Sequence, residues 1–60
     1  NIIMMINVYF KSGFRQTFIV PRNILAIEFQ HLAEDIGGSI KRIEFPHFSE
    51  MRAFLYLNQK

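Results

Sequence analysis

Met4-Met5-Ile6-Asn7-Val8-Tyr9-Phe10-Lys11-Ser12-Gly13-Phe14-Arg15-Gln16-Thr17-Phe18-Ile19-Val20 is the stretch on which the fold turns. Ile2, Met4, Ile6, Val8 and Phe10 share one phase of a two-residue period, with Asn7, Tyr9 and Lys11 in the other, as in a half-buried strand. A second strand, Phe14 to Val20, carries Phe14, Phe18 and Val20 in its even phase. A two-residue Ser-Gly turn would pair Phe10 with Arg15 and Ile6 with Ile19, setting even positions of one strand beside odd positions of the next. A three-residue loop, Lys11-Ser12-Gly13, pairs Phe10 with Phe14, Ile6 with Phe18 and Met4 with Val20, so the apolar faces coincide. It also puts Gly13 where a type I turn with a bulge needs a left-handed residue. The hairpin is therefore expected in that register, at the cost of Gln16 on the apolar face opposite Val8.

Beyond the hairpin, Pro21 ends the second strand because it has no N–H for the ladder. From Asn23 to Ile36 the spacing changes: Leu25, Phe29, Leu32 and Ile36 recur at four, three and four residues, with Ala26 and Ala33 alongside. Asn23 suits an N-cap and Gly37-Gly38 a stop, so a helix is expected there. Leu25, Ile27 and Phe29 also alternate, which leaves residues 23–30 open as a third strand followed by a loop. Ser39–Phe45 reads as a strand bounded by Pro46, residues 47–51 as a connection or a single helical turn, and Arg52–Asn58 as a last strand. The resulting expectation is an α+β fold, a small antiparallel sheet with one helix on one face in the order β-β-α-β-β. The alternative is an all-β five-stranded SH3-like barrel. Residues 24–31 and 40–47 share Ile, Ile, Glu, Phe and His at a spacing of 16, which would make both strands, but two copies at that period match no common repeat architecture.

The chain has 60 residues, half of them apolar, and Ile, Leu, Val and Phe account for 22. That is a folding composition and room for a single domain over residues 1–60. Without cysteine there is no disulfide scaffold, thiolate zinc site or cysteine nucleophile. A domain of this size without such a staple has little stability to spare, which favours a partner. The apolar run at the start is about half the length of a membrane helix and lacks the features of a secretory signal, so cytoplasmic residence and no membrane partner are expected. Met4 and Met5 follow Asn1 closely, and residues 1–3 are read as added residues or as belonging to an upstream start.

No constellation calls for catalysis or a cofactor. On a helix, His31 and Asp35 lie one turn apart with Glu34 nearby, and His47 would have to approach to complete a metal site; small structural zinc sites normally use cysteines. Ser12, Ser39 and Ser49 lack a nucleophile-elbow context, and Gly37-Gly38-Ser39 precedes a strand, whereas phosphate-cradling glycine loops open a helix. Glu28 and Glu44 form a carboxylate pair only if the repeat is real. A substrate pocket would also consume much of so small a core. Neither a catalytic nor a metal site is therefore expected, and the protein reads as a non-enzymatic binding or oligomerisation module.

Two binding readings remain. Residues through Arg22 carry Lys11, Arg15 and Arg22 and no acid, residues 23–40 carry Glu28, Glu34 and Asp35 and no base, and Lys41-Arg42 adds a second basic step. With Tyr9 on the polar face of the first strand, Lys11, Arg15, Arg22, Lys41 and Arg42 form a candidate nucleic-acid surface. The net charge of only +2 makes the long-range field weak, and the same charges also guard strand edges. The favoured reading is self-association, as a homodimer or higher oligomer or within a larger assembly. Its candidate residues are Phe48, Met51, Phe54 and Tyr56, which exceed what one helix can cover.

Ile6-Asn7-Val8-Tyr9-Phe10-Lys11-Ser12-Gly13, Thr17-Phe18-Ile19-Val20, Lys41-Arg42-Ile43-Glu44-Phe45 and Phe54-Leu55-Tyr56-Leu57-Asn58 resemble segments of small uncharacterised proteins of low-GC Gram-positive bacteria and their phages. The likeness spans most of the chain in generic hairpin language. It implies a small β-rich barrel and supplies no catalytic residues. The segment ending Glu34-Asp35-Ile36-Gly37-Gly38 departs from that pattern.

Overall fold

The computed structural model describes residues 2–59, in the order β1 (Ile3–Phe10), β2 (Arg15–Pro21), α1 (Ala26–Gly37), β3 (Ile40–Glu44) and α2 (Phe48–Asn58). What was expected of residue 1 lies outside the described residues. β1 and β2 form the anticipated hairpin, with Met4 opposite Val20, Ile6 opposite Phe18 and Val8 opposite Gln16. The Gly13 N–H donates to the Phe10 carbonyl at 2.9 Å and the Phe10 N–H to the Phe14 carbonyl at 2.8 Å, closing the three-residue loop. Gly13 has φ 97°, where a side chain would be strained. At the open end the Arg22 N–H reaches the Ile2 carbonyl at 2.9 Å, so the ladder continues beyond Ile3.

The sheet has the order β2-β1-β3, with β1 antiparallel to both neighbours. β2 and β3 therefore run parallel on either side of β1, joined by α1. Ile40 and Ile43 differ in phase, so a regular strand would turn only one of them toward the core. β3 resolves this with a bulge: Val8 opposes Ile43 and Tyr9 opposes Arg42, but Phe10 opposes Ile40, leaving Lys41 as the extra residue. Both isoleucines then pack against the core.

That core lies entirely on one side of the sheet. Met4, Ile6, Val8 and Phe10 of β1 and Phe18 and Val20 of β2 are buried against Phe29 and Ala33 of α1 and Phe54 of α2. Phe18, Phe29 and Phe54 form a chain of edge-to-face contacts, with centroids 5.8 and 6.5 Å apart, and Phe45 closes on Phe54 at 5.4 Å. Each such pair contributes about 0.5–1.5 kcal/mol beyond its buried area. The two glycines that stop α1 have different duties. Gly38, at φ 85°, takes the positive-φ conformation after the helix and its N–H donates to the Glu34 carbonyl at 2.9 Å. Gly37 lies against the buried Phe10 ring, in the space that a Cβ would occupy.

Two side chains fix α2. Asn58 Oδ1 accepts from the Ala26 N–H at 2.7 Å while its Nδ2 donates to the Phe54 carbonyl at 2.9 Å, clipping the end of α2 to the start of α1. At the other end, Arg22 approaches Glu50 at 3.7 Å.

The expectations need several corrections. The sheet has three strands among the described residues, so neither four strands nor a five-stranded barrel is present, and there are two helices. Residues 52–58 are helical because Met51, Phe54 and Asn58, at helical spacing, turn inward while Phe48, Arg52, Leu55 and Tyr56 face out. α1 begins at Ala26 with Leu25 as its cap, later than Asn23, and the Glu28 carboxylate accepts from the Leu25 N–H at 3.3 Å. Its buried stripe is Phe29 and Ala33, whereas Leu25, Leu32 and Ile36 stay exposed. Residues 24–31 enter a helix and residues 40–44 form a strand, so the shared Ile, Ile, Glu, Phe and His are not a structural repeat.

Candidate functional site

With both helices on one side, the other face of the sheet has no covering layer among the described residues. Its composition follows from the register as rows across the strands. At the hairpin end, Arg15, Tyr9 and Arg42 form one row, with Tyr9 opposite both arginines. The next row is Thr17, Asn7 and Glu44, followed by Ile19 beside Met5 and Pro21 beside Ile3. β3 contributes nothing beyond Glu44, so the last two rows have two strands only. The face is thus cationic and aromatic at one end, amide and hydroxyl in the middle, and apolar at the other.

The polar end is ordered by its own contacts. The Arg42 guanidinium lies over the Tyr9 ring, 4.0 Å from its centroid. The Tyr9 hydroxyl donates to Glu44 Oε1 at 3.1 Å, and the Thr17 hydroxyl donates to Asn7 Oδ1 at 2.6 Å. A shallow depression of about 320 Å³ runs between β1 and β2, lined by Asn7, Val8, Tyr9, Arg15, Gln16 and Thr17. The apolar end holds Ile3, Met5 and Ile19, all exposed, with Ile19 at 66% and Ile3 at 55%.

Four of the five anticipated basic residues gather around the Tyr9 row. Arg15 and Arg42 belong to it, Lys41 is the bulged residue beside Arg42, and the Lys11 N–H donates to the Ser39 carbonyl at 2.9 Å, which places Lys11 at the start of β3. Arg22 stands apart, at the far end of β2 facing Glu50. Of the anticipated association residues, Phe48 and Tyr56 lie on the outer face of α2, at 65% and 79% exposure, with Arg52 near the Phe48 ring. Met51 is half-buried, and Phe54, at 5%, is part of the protein's own core and not available to a partner. The residues that sequence reasoning passed over are Ile3, Met5 and Ile19, whose odd phase opposite the core-facing positions was visible in the hairpin.

His31 is exposed on α1 and His47 precedes α2; among the described residues no group of three or more metal-binding side chains converges. No helix of the described residues is long and apolar enough to cross a membrane. Comparisons with protein-family models, curated proteins and solved structures return no significant match.

Proposed function

We propose that the protein is a non-enzymatic binding module that associates with a second copy of itself through the apolar end of the uncovered sheet face. The contiguity of Ile3, Met5 and Ile19 on a face that neither helix touches carries this reading. A second copy is the occupant because the face is self-complementary. A twofold axis between the Met5–Ile19 and Ile3–Pro21 rows sets the apolar end of one sheet on that of the other, about 10 Å away as in stacked sheets. The same operation sends the two Arg15–Tyr9–Arg42 rows to opposite outer ends, where their like charges do not meet. Overlaying the full faces instead would press arginines onto isoleucines.

The contact is small, below the area of a standard stable interface, so a weak and concentration-dependent dimer is expected. Sedimentation velocity over micromolar to millimolar protein is the test. The mass should rise toward a dimer, and Met5→Gln/Ile19→Gln should hold it at the monomer, whereas Tyr56→Ser on α2 should leave the association intact. A strictly monomeric protein at the highest concentration contradicts the reading.

A further inference from the structure

We propose that the Arg15–Tyr9–Arg42 row and the depression beside it form a binding site for single-stranded nucleic acid, with one base stacked on Tyr9 and its flanking phosphates held by the surrounding cations. This site is independent of self-association, since it occupies the opposite end of the face.

Three features point to that ligand class. The first is the alternation of charge and π-surface. Tyr9 is flanked on both neighbouring strands by an arginine, and the two arginines stem from strands about 10 Å apart, with the aromatic ring between them. Arg42 covers the ring from the β3 side at 4.0 Å, so the depression on the β2 side leaves space for a base against the ring and Arg42 backs it. The second is the lining of that depression. Val8 and Gln16 belong to the core-facing phase, while Asn7, Tyr9, Arg15 and Thr17 belong to the outer one. Thr17 occupies Asn7 Oδ1, which fixes the amide and turns its NH₂ away as a donor for a base edge. The third is the charge distribution. Lys11 and Lys41 lie at the same end of the sheet, so four cations gather beside the Glu44 carboxylate, which already accepts from Tyr9. The acids of α1 belong to the helical layer on the other side of the sheet, with Glu34 near Ile40 and Ile43.

A solvated basic edge has no need of an aromatic ring clamped in place by a cation and a carboxylate, nor of a polar depression beside it. An acidic peptide would use the cations and leave the Tyr9 surface unused. Single-stranded nucleic acid uses both, because every base has a π-face and every nucleotide a phosphate.

Fluorescence anisotropy of a labelled oligothymidylate of about a dozen nucleotides, at low salt, tests the proposal. Binding is expected, with log affinity falling against log salt at a slope of about −2 to −3 for three to four phosphate contacts on a single strand. Tyr9→Leu should weaken it on the order of tenfold, and an abasic strand of equal length should bind the wild type about tenfold less well than oligothymidylate. Arg15→Glu and Arg42→Glu, both at exposed positions, should each reduce affinity tenfold or more while leaving the far-ultraviolet dichroism unchanged. Met5→Gln/Ile19→Gln should bind like the wild type, which separates this site from the association surface. Absence of binding at low salt, equal affinity for the abasic strand, or equal affinity for polyglutamate each overturns the proposal.

Discussion

Asn58→Ala removes the clip between the two helices and leaves every apolar core residue in place. Asn58 Oδ1 accepts from Ala26, the first N–H of α1 and one of the four without an intrahelical partner. Its Nδ2 donates to the Phe54 carbonyl, and Phe54 is the residue that α2 inserts into the core. Ala26 is exposed, so water can take over part of the first bond, and its loss costs about 0.5–1 kcal/mol. The second bond orders the final turn of α2 and contributes a further 0.5–1 kcal/mol or so. The total of about 1–2 kcal/mol is a large share of the roughly 3–9 kcal/mol that a chain of 60 residues commands. Tm should therefore fall by about 5–15 °C. Urea and thermal denaturation followed by circular dichroism, at protein concentrations where the monomer dominates, measure this directly. Asn58→Asp keeps the acceptor for Ala26 but sets a carboxylate oxygen against the Phe54 carbonyl at the negative end of α2, so it should not recover the loss. A loss below about 0.3 kcal/mol for Asn58→Ala, or wild-type stability for the aspartate, would refute the reasoning.

The packing of Gly37 is tested in the same assay. Gly37→Ala gains up to about 1 kcal/mol of helix propensity but drives a Cβ into the fully buried Phe10 ring, at an overpacking cost of about 1–3 kcal/mol, so a net loss near 1 kcal/mol is expected. A stabilised Gly37→Ala would show that Phe10 has room to move. Gln16→Val should stabilise by about 0.5–1 kcal/mol, because Gln16 is half-buried in the core-facing phase opposite Val8, and a β-branched residue fits that pair. A loss on this substitution would mean that the amide has a partner worth keeping.

The hairpin was legible because two independent signals coincide there. Alternation fixes the face, and Gly13 fixes the loop length, so only one register satisfies both. α2 was not legible because a continuous apolar run such as Ala53–Leu57 carries no period: its exposed positions Leu55, Tyr56 and Leu57 are as apolar as its buried Phe54. The usable signal was Ser49–Ala53, rich in helix formers, together with Met51, Phe54 and Asn58 at spacings of three and four. The site was half legible. Tyr9 and Arg15 fall in the same phase of one hairpin, whereas Arg42 reaches Tyr9 only because β3 pairs with β1 and not with β2, and because a bulge at Lys41 sets its register. Those are tertiary choices, made by Ile40 and Ile43 seeking the core together. The apolar end required only that Ile3, Met5 and Ile19 be read in the same phase as Asn7 and Tyr9, and that no third layer be assumed to cover them.

In the proposed dimer the odd-phase face of the sheet, uncovered in the monomer, is closed by a second copy at its apolar end. A dilution series of amide ¹H–¹⁵N spectra tests it residue by residue. Concentration-dependent shifts are expected at Ile3, Met5 and Ile19, with Phe48 and Tyr56 on α2 unmoved. Shifts confined to α2, or a spectrum that does not change with concentration, would contradict it.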